Sequence, residues 1–401
     1  MALLPVAAAL DRVLSDVAPT GIEPVALLHA RNRTLATALT ALFTQPPFDV
    51  SAMDGYAVRA ADVATVPARL TLIGESAAGR RFDGEVAVGQ CVRIFTGAAM
   101  PAGADTVVIQ EDTDRDGAIV IANESSPPHR HVRDAGLDFR EGQSLLEGGR
   151  ILDARALTLA AAMGHASVPC RRRPRVAILA TGDELVMPGE IPGPDSIMCS
   201  NTFGLAAMVE AAGGEAIPLG IARDTQASLA EKIASGGDAD ILVTTGGASV
   251  GDHDLVAPAL QAAGMTLDFW KIAMRPGKPL MFGLRGTQRV LGLPGNPVSS
   301  LICGRLFLVP LIRAMLGQPR EAEFTQMARV TEPMEANGPR RHYMRATLQS
   351  GPGNQALVTP LASQDSSLVS PLANASCLIV RELHAPAVAA GADVPIIRID
   401  F

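Results

Sequence analysis

The spacing of hydrophobic and polar positions changes several times along the chain, and the changes divide it into regions. In residues 1–45 apolar side chains recur at helical spacing, for example at Val25, Leu28 and Leu35, which predicts helices. From residue 48 to about 125, short β-branched segments alternate with Gly, Pro and Asp, which predicts a small β-rich domain. Asp153 is then placed to cap a helix that ends at Gly164. The β-rich domain therefore interrupts a helical region.

Residues 174–318 contain apolar strand patterns and helical patterns in turn, beginning with RVAILA, AIPLGIA and ILVTT. This order predicts a doubly wound α/β domain with a mostly parallel sheet. After residue 319 the helical pattern stops, and short strands separated by Gly, Pro and Asn predict an all-β domain. The predicted fold class is a multidomain α/β protein, with regions 1–47 plus 126–173, 48–125, 174–318 and 319–401.

Composition narrows the function classes. The 401 residues are 48% hydrophobic and 19% charged, which is too apolar for a disordered chain. A net charge of −7 without a long basic run argues against nucleic-acid binding. The five cysteines are never closer than 29 residues, so they predict reduced thiols of a cytoplasmic protein rather than a disulfide framework or zinc site. The apolar segment 297–316 contains Arg305 and Arg313, so no membrane helix is expected.

The loops that follow the strands of the α/β domain are the first place to look for a ligand site. The loop 245–254 has Gly246, Gly247 and Ser249, which suit an anion cradle, although a plain turn is the alternative. Asn296 before Pro297 can cap a helix or leave its N–H groups free for a phosphate. The nearby cations Lys271, Arg275 and Lys278 favour a polyanionic ligand.

Carboxylates recur at the same strand ends, without convincing His or Cys companions. Glu184, Asp224 and Asp254 could each be a solvated turn residue, but together they favour Mg²⁺ over zinc. In the β-rich domain Asp54 predicts a tight turn, and Thr96 lies at a strand end.

Seven motifs together carry a family resemblance. In chain order they are SAMDGYAV, FTGAAMPAGADTVV, RDAGLDFREG, ATGDEL, TTGGASVGDHD, RPGKPLMFG and GLPGNPVSS. With these motifs the chain resembles the molybdopterin molybdenumtransferase family, which includes the MoeA proteins and the gephyrin E domain. The resemblance implies insertion of molybdenum from molybdate into adenylylated molybdopterin, with Mg²⁺-assisted release of AMP, as the final step of molybdenum cofactor synthesis.

The resemblance also assigns roles to residues. It implies catalytic roles for Asp54, Thr96, Asp138, Glu184, Asp224 and Asp254, and Mg²⁺ binding by the last three. It implies substrate binding by Gly246, Gly247, Ser249, Lys271, Arg275, Lys278, Pro294, Asn296, Arg340 and Ser366. The chain departs from the family at Asp365-Ser366-Ser367, where a Gly-Ser-Gly-like turn is usual, and at His342, where an acidic residue is common.

The family architecture implies an elongated cytoplasmic homodimer. Its helical linker and dimerisation region, inserted β-rich domain, α/β molybdopterin-binding domain and C-terminal β-barrel match the four regions. The expected cleft combines the α/β domain of one subunit with the inserted and C-terminal domains of the other. Expected partners are molybdopterin adenylyltransferase and molybdoenzyme maturation factors in transient contact, with no nucleic acid and no membrane. A molybdopterin adenylyltransferase and a gephyrin-like binding scaffold are the alternative functions.

Overall fold

Three six-stranded sheets organise the computed structural model, which describes residues 3–247, 255–319 and 326–399. One sheet lies in the β-rich region, one in the α/β region and one at the C-terminal end of the chain. The five cysteines are all buried and free. The predicted multidomain α/β fold is confirmed.

The central sheet belongs to the α/β domain. Its strands, in spatial order, are Glu215–Ala222, Arg175–Thr181, Ile241–Thr245, Gln288–Leu293, Met281–Arg285 and Thr266–Trp270. The first four strands are parallel, and Met281–Arg285 runs antiparallel to both of its neighbours. The predicted mostly parallel sheet is therefore confirmed.

Helices cover both faces of this sheet. They are Asn201–Ala211, Gln226–Ser235, Val256–Ala262, and a continuous helix built from Pro297–Cys303, a π-turn at Gly304–Leu308 and Val309–Met315. Alternate residues of one strand point to opposite faces, so Ile178 packs in the core with Ile302 while Leu179 packs in the core with Leu229. This is the doubly wound arrangement.

The helix Pro297–Met315 is a core element of this domain. The helix has 19 residues, of which an 18-residue window has a mean hydropathy of 1.6, and among the described residues it is the helix whose length and composition would allow a membrane crossing. However, 67% of that window is buried inside the protein. Burial of that extent is what a core helix of a globular domain shows.

The N-terminal helix Val6–Leu14 belongs to the α/β domain. Val6 and Val13 pack in the same core as Ile312. The buried Arg289 side chain donates to the carbonyl oxygens of Val13 and Ser15, at 2.8 and 2.6 Å. The end of this helix is thereby fixed near the N-terminal end of the strand Gln288–Leu293. The ligand loops extend from the opposite, C-terminal ends of the parallel strands.

The helical prediction for residues 15–45 is wrong. The strand Ile22–Ala26 pairs antiparallel with Ser167–Arg171, because Pro19, Gly21 and Pro24 oppose a continuous helix. The other elements of this region are the turn Leu27–His29, the strand Leu39–Thr40 with Ser144–Leu146, the strand Val50–Ser51 with Val132–Arg133, and the helix Ala154–Ala162. The Asp153 side chain accepts from the Ala156 N–H at 2.8 Å, as predicted for a cap.

The inserted β-rich region forms its own sheet. In spatial order its strands are Thr106–Ile109, Gly55–Val58, Gln90–Ile94, Ala68–Ser76, Ile119–Ala122 and Thr113–Asp116. Short helical turns occur at Ala60–Val63 and Gln110–Asp112. The predicted β-rich composition of this region is confirmed.

The C-terminal strands close into a five-stranded barrel, as expected. Around the barrel they are Arg341–Ser350, Ala356–Pro360, Gln326–Val330, Asp393–Arg398 and Cys377–Arg381. A turn at Pro352–Asn354 and the helix Val369–Ala373 connect them. The two-residue strand Met274–Arg275 leaves the α/β domain and pairs parallel with the first residues of Arg341–Ser350. This pairing joins the barrel to the α/β domain of its own chain.

Candidate active-site cleft

A cleft of about 380 Å³ lies between the α/β domain and the barrel of the same chain. Its lining residues are Arg275, Pro276, Gly277, Lys278, Pro279, Pro294, Asn296, Ser299, Arg340, Gln364, Asp365 and Ser366. Six of the substrate-binding residues predicted from the sequence are therefore brought together: Arg275, Lys278, Pro294, Asn296, Arg340 and Ser366.

One wall of the cleft is the basic loop, residues 271–280. The Ile272 N–H donates to the Lys278 carbonyl at 2.9 Å, and the Lys271 N–H donates to the Leu280 carbonyl at 3.0 Å. The Arg341 N–H donates to the Ala273 carbonyl at 2.9 Å and fixes the loop to the barrel. Lys271 lies at the start of the loop and does not line the cleft, so its binding role stays a prediction.

Gly277 allows the basic loop to lie against the core. Its φ is +107°, and a Cβ at this position would lie 2.5 Å from the Cys303 Sγ. A side chain would therefore meet both backbone strain and a fully buried neighbour. Gly277 and Ser299 line the cleft, but the prediction did not single them out, although both lie within motifs quoted for the resemblance.

The opposite wall joins Asn296 to the barrel. The Asn296 Nδ2 donates to the Ser366 Oγ at 2.9 Å, and the Val298 N–H donates to the Ser366 carbonyl at 3.1 Å. Asn296 precedes the helix but makes no side-chain capping bond, so the capping interpretation is wrong for its side chain. The barrel of the same chain lines this cleft together with the α/β domain, and the expected contribution of a partner subunit stays a prediction.

The cleft carries positive charge. Among the described residues, Arg275, Lys278 and Arg340 line it together with one carboxylate, Asp365. The Asp365 carboxylate accepts from the Ser367 N–H and hydroxyl at 2.9 and 2.8 Å, and these bonds lower its pKa. Residues 365–367, where the chain departs from the family pattern, thus form a turn in which the Asp365 carboxylate is hydrogen-bonded to Ser367.

His342 is a buried residue close to these positive charges. It pairs with Arg275 across the two joined strands and is 7% exposed. Burial, together with the charges of Arg275, Arg340 and Arg381, lowers its pKa from the ordinary value of 6.5 to about 4. The imidazole is therefore neutral near pH 7, and the cations around it keep their full effect on the cleft.

The stability of the protein should depend on pH through His342. The unfolded chain binds a proton at this residue below pH 6.5, whereas the folded protein resists protonation down to about pH 4. Stability is therefore fully present above pH 6.5 and falls between pH 6.5 and 4, by about 3 kcal/mol in total. Urea unfolding across this range should give a flatter profile for His342→Gln than for the wild type. The exposed His384 provides the matched control, because His384→Gln should keep the wild-type slope.

The predicted metal carboxylates lie on adjacent strand-end loops. Glu184 and Asp224 follow the neighbouring strands Arg175–Thr181 and Glu215–Ala222, and both are exposed. The Asp224 N–H donates to the Asp183 carboxylate at 3.1 Å, which ties the two loops together. Asp254 and Ser249 lie outside the described residues. Within the described ranges, no group of three His, Cys, Asp or Glu side chains converges as a metal site.

Gly246 lies at the end of the strand Ile241–Thr245, beside the turn that carries Asn296. Its φ is +94°, and a Cβ there would lie 2.6 Å from the Thr181 carbonyl oxygen. A Cβ at Gly295 would lie 3.5 Å from the Gly246 Cα. The close approach of these backbones requires glycine at position 246. Gly247 follows it with φ +57°.

Two of the predicted catalytic residues in the N-terminal half form a pair. The Asp54 carboxylate accepts from the Thr96 N–H at 2.7 Å and from the Thr96 hydroxyl at 2.8 Å. These bonds, with Arg93 nearby, hold its pKa below the ordinary range. Asp138 is exposed in a separate turn, where its N–H donates to the Gln45 carbonyl. In the described part of the chain no hydrogen bond joins Asp54 or Thr96 to a residue that lines the cleft.

Three family models match the chain over most of its length. They are the MoeA N-terminal region (domains I and II) at residues 4–164, a probable molybdopterin binding domain at 177–314, and the MoeA C-terminal region (domain IV) at 327–399.

Relatives and solved structures agree with the family models. The molybdopterin molybdenumtransferase of Haemophilus influenzae is 36% identical over 94% of both chains, and that of Bacillus subtilis is 33% identical over 94% of this chain and 90% of its own. The molybdopterin biosynthesis MoeA protein of Pyrococcus horikosii has a crystal structure that matches with a TM-score of 0.87 at 30% identity and covers 99% of each chain.

Proposed function

The chain belongs to the molybdopterin molybdenumtransferase family and is a transferase of molybdenum cofactor biosynthesis, and we propose that its cleft binds the anionic groups of adenylylated molybdopterin and molybdate. The observation that carries this proposal is the gathering of Arg275, Lys278 and Arg340 in one cleft of a chain whose net charge is −7. Cations gathered in one cleft favour an anionic substrate and the charge that develops as it reacts.

The two walls of the cleft would bind different parts of the substrate. Arg275 and Lys278 offer mobile cationic heads on a loop whose backbone is tied to the barrel. Asn296 and Ser366 offer polar groups whose positions are already fixed by their mutual bond. We infer that the basic wall binds molybdate or phosphate and that the Asn296 wall orients the pterin.

Mg²⁺ is the proposed cofactor. Carboxylate oxygens are the ligands it prefers, and the exposed Glu184 and Asp224 supply them from adjacent loops, with Asp254 as the third residue of the proposed set. When bound, the ion would neutralise charge on the adenylyl pyrophosphate group as AMP leaves. The hydrogen bond from the Asp224 N–H to the Asp183 carboxylate would hold the two loops together.

Asp54 and Thr96 are proposed to act on a cleft of a second copy of the chain. They form a hydrogen-bonded pair in which Thr96 is exposed and Asp54 partly buried, and no hydrogen bond connects them to the cleft of their own chain within the described ranges. A cytoplasmic homodimer in which the inserted domain of one subunit approaches the cleft of the other would give this pair a substrate.

The test is release of AMP from adenylylated molybdopterin by the purified protein, with Mg²⁺ and molybdate omitted in turn. We expect release that requires both, together with activation of a molybdenum-free apoenzyme by the product. If the protein binds adenylylated molybdopterin but neither reaction occurs, the transfer mechanism proposed for this cleft is wrong and a binding role takes its place. Formation of adenylylated molybdopterin from ATP would instead support the adenylyltransferase alternative.

A further inference from the structure

The barrel contains a buried arginine whose side chain donates hydrogen bonds to one loop of the cleft. Arg345 is 1% exposed and lies in the strand Arg341–Ser350. Its Nη1 donates to the Leu368 carbonyl at 3.0 Å, and its Nη2 donates to the Ser363 and Asp365 carbonyls at 3.0 and 2.8 Å. One guanidinium therefore holds both ends of the cleft loop, which we define as residues 363–368.

The backbone of Arg345 holds the same loop. Its N–H donates to the Gln364 Oε1 at 2.9 Å, and its carbonyl accepts from the Gln364 Nε2 at 2.9 Å. The Leu361 N–H also donates to the Arg345 carbonyl at 2.9 Å. A single residue of the barrel wall thus fixes the backbone and one side chain of the segment that leads to Ser366.

The cleft loop is the part of the barrel that touches the other wall. Ser366 receives the Asn296 side chain and the Val298 N–H, while Gln364 and Asp365 line the cavity directly. A shift of this loop would therefore move the Asn296 wall relative to the basic loop. Displacements of about 1 Å in a binding site are enough to cost a large factor in activity.

We propose that Arg345 is a positioning residue, which sets the width of the cleft by holding the cleft loop against Asn296. The inference rests on the proposed function of the cleft, but it concerns a residue that does not line the cavity. Arginine suits this role because its planar fork donates in fixed directions to several acceptors at once. Lysine would keep the charge but not reach the three carbonyls in the same geometry, and methionine would leave them without a donor.

The experiment compares Arg345→Met and Arg345→Lys with Arg289→Met and Arg289→Lys. Arg289 is the matched control because it is also buried and donates to two carbonyls. It lies at the N-terminal end of the strand Gln288–Leu293, away from the strand ends that carry the ligand loops. Both Arg345 variants should raise the KM for adenylylated molybdopterin by about tenfold or more, with kcat changed much less. The Arg289 variants should lower stability and leave KM unchanged.

Hydrogen exchange gives a readout that does not depend on activity. In the Arg345 variants the amides of residues 363–368 and of Val298 should exchange at least about tenfold faster, whereas those of the central sheet should not change. The conservative Arg345→Lys variant keeps the test possible if Arg345→Met does not fold. Equal losses of stability in both series, with KM and loop exchange unchanged, would overturn the proposal. If the wild type failed to use adenylylated molybdopterin at all, the function proposed above would fall, while the exchange data would still decide the role of Arg345.

Discussion

Replacing Arg275 and Lys278 together with alanine should lower kcat/KM for adenylylated molybdopterin by about two to four orders of magnitude. Each side chain lines the cleft and is exposed to solvent there, so each is free to make a charge-assisted hydrogen bond to an anionic substrate. Such bonds contribute about 1.5–3 kcal/mol each. Two of them amount to about 3–6 kcal/mol, and each 1.36 kcal/mol corresponds to about a tenfold change in rate.

The measurement is steady-state AMP release at several salt concentrations. Salt screens exposed charges, so rising ionic strength should raise the wild-type KM more than that of the double variant. Arg115→Ala is the control, because Arg115 is exposed at the edge of the inserted sheet and donates to the Gly117 carbonyl of the same strand-end turn. Unfolding midpoints should be unchanged in all variants. A double variant with near-wild-type kcat/KM would mean that the anionic groups bind elsewhere.

The α/β domain could be predicted because its local patterns agree with its tertiary environment. The strand Ile241–Thr245 is buried throughout, as expected of a parallel strand that is covered on both faces. The helical prediction for residues 15–45 is wrong because Leu27, Leu35 and Leu39 fit a helical period but lie in short strands, bridges and turns. There the two prolines and the glycine decide the local structure, and the leucines pack against strands distant in sequence.

The residues of the candidate site also fall into those that local motifs predict and those that only tertiary contacts reveal. Arg275, Lys278 and Asn296 could be predicted because they lie in short motifs at strand ends, where ligand loops converge. The roles of Arg345 and His342 depend on partners that the motifs do not contain. Arg345 meets Asp365, which is 20 residues away, through the closure of the barrel, and His342 meets Arg275 through a strand pair between two domains. Neither contact leaves a local sequence signal.

The second large loss of activity is expected when Asp54, which pairs with Thr96, is replaced. Asp54→Asn keeps the shape of the side chain but removes its negative charge, so it should lower kcat by at least about a hundredfold if the carboxylate takes part in proton transfer or binds the metal. The variant should fold normally, because Asp54 is only partly buried and the Thr96 donors can still bond to the amide oxygen. Thr96→Ser, which retains the hydroxyl, should stay much closer to the wild type than Thr96→Val.

A mixture of two strongly impaired variants tests whether Asp54 acts on the cleft of its own chain or on the partner's cleft. If the inserted domain acts on the partner's cleft, unfolding and refolding Asp54→Asn together with Arg275→Ala should restore about one quarter of wild-type activity. Half of the dimers would then be mixed, and one of the two clefts in each mixed dimer would carry neither defect. Arg340→Ala mixed with Arg275→Ala should restore nothing, because the barrel and the basic loop line the same chain's cleft. No recovery in the first mixture would place Asp54 in the cleft of its own chain or outside any cleft, and a monomer in sedimentation would exclude the shared site altogether.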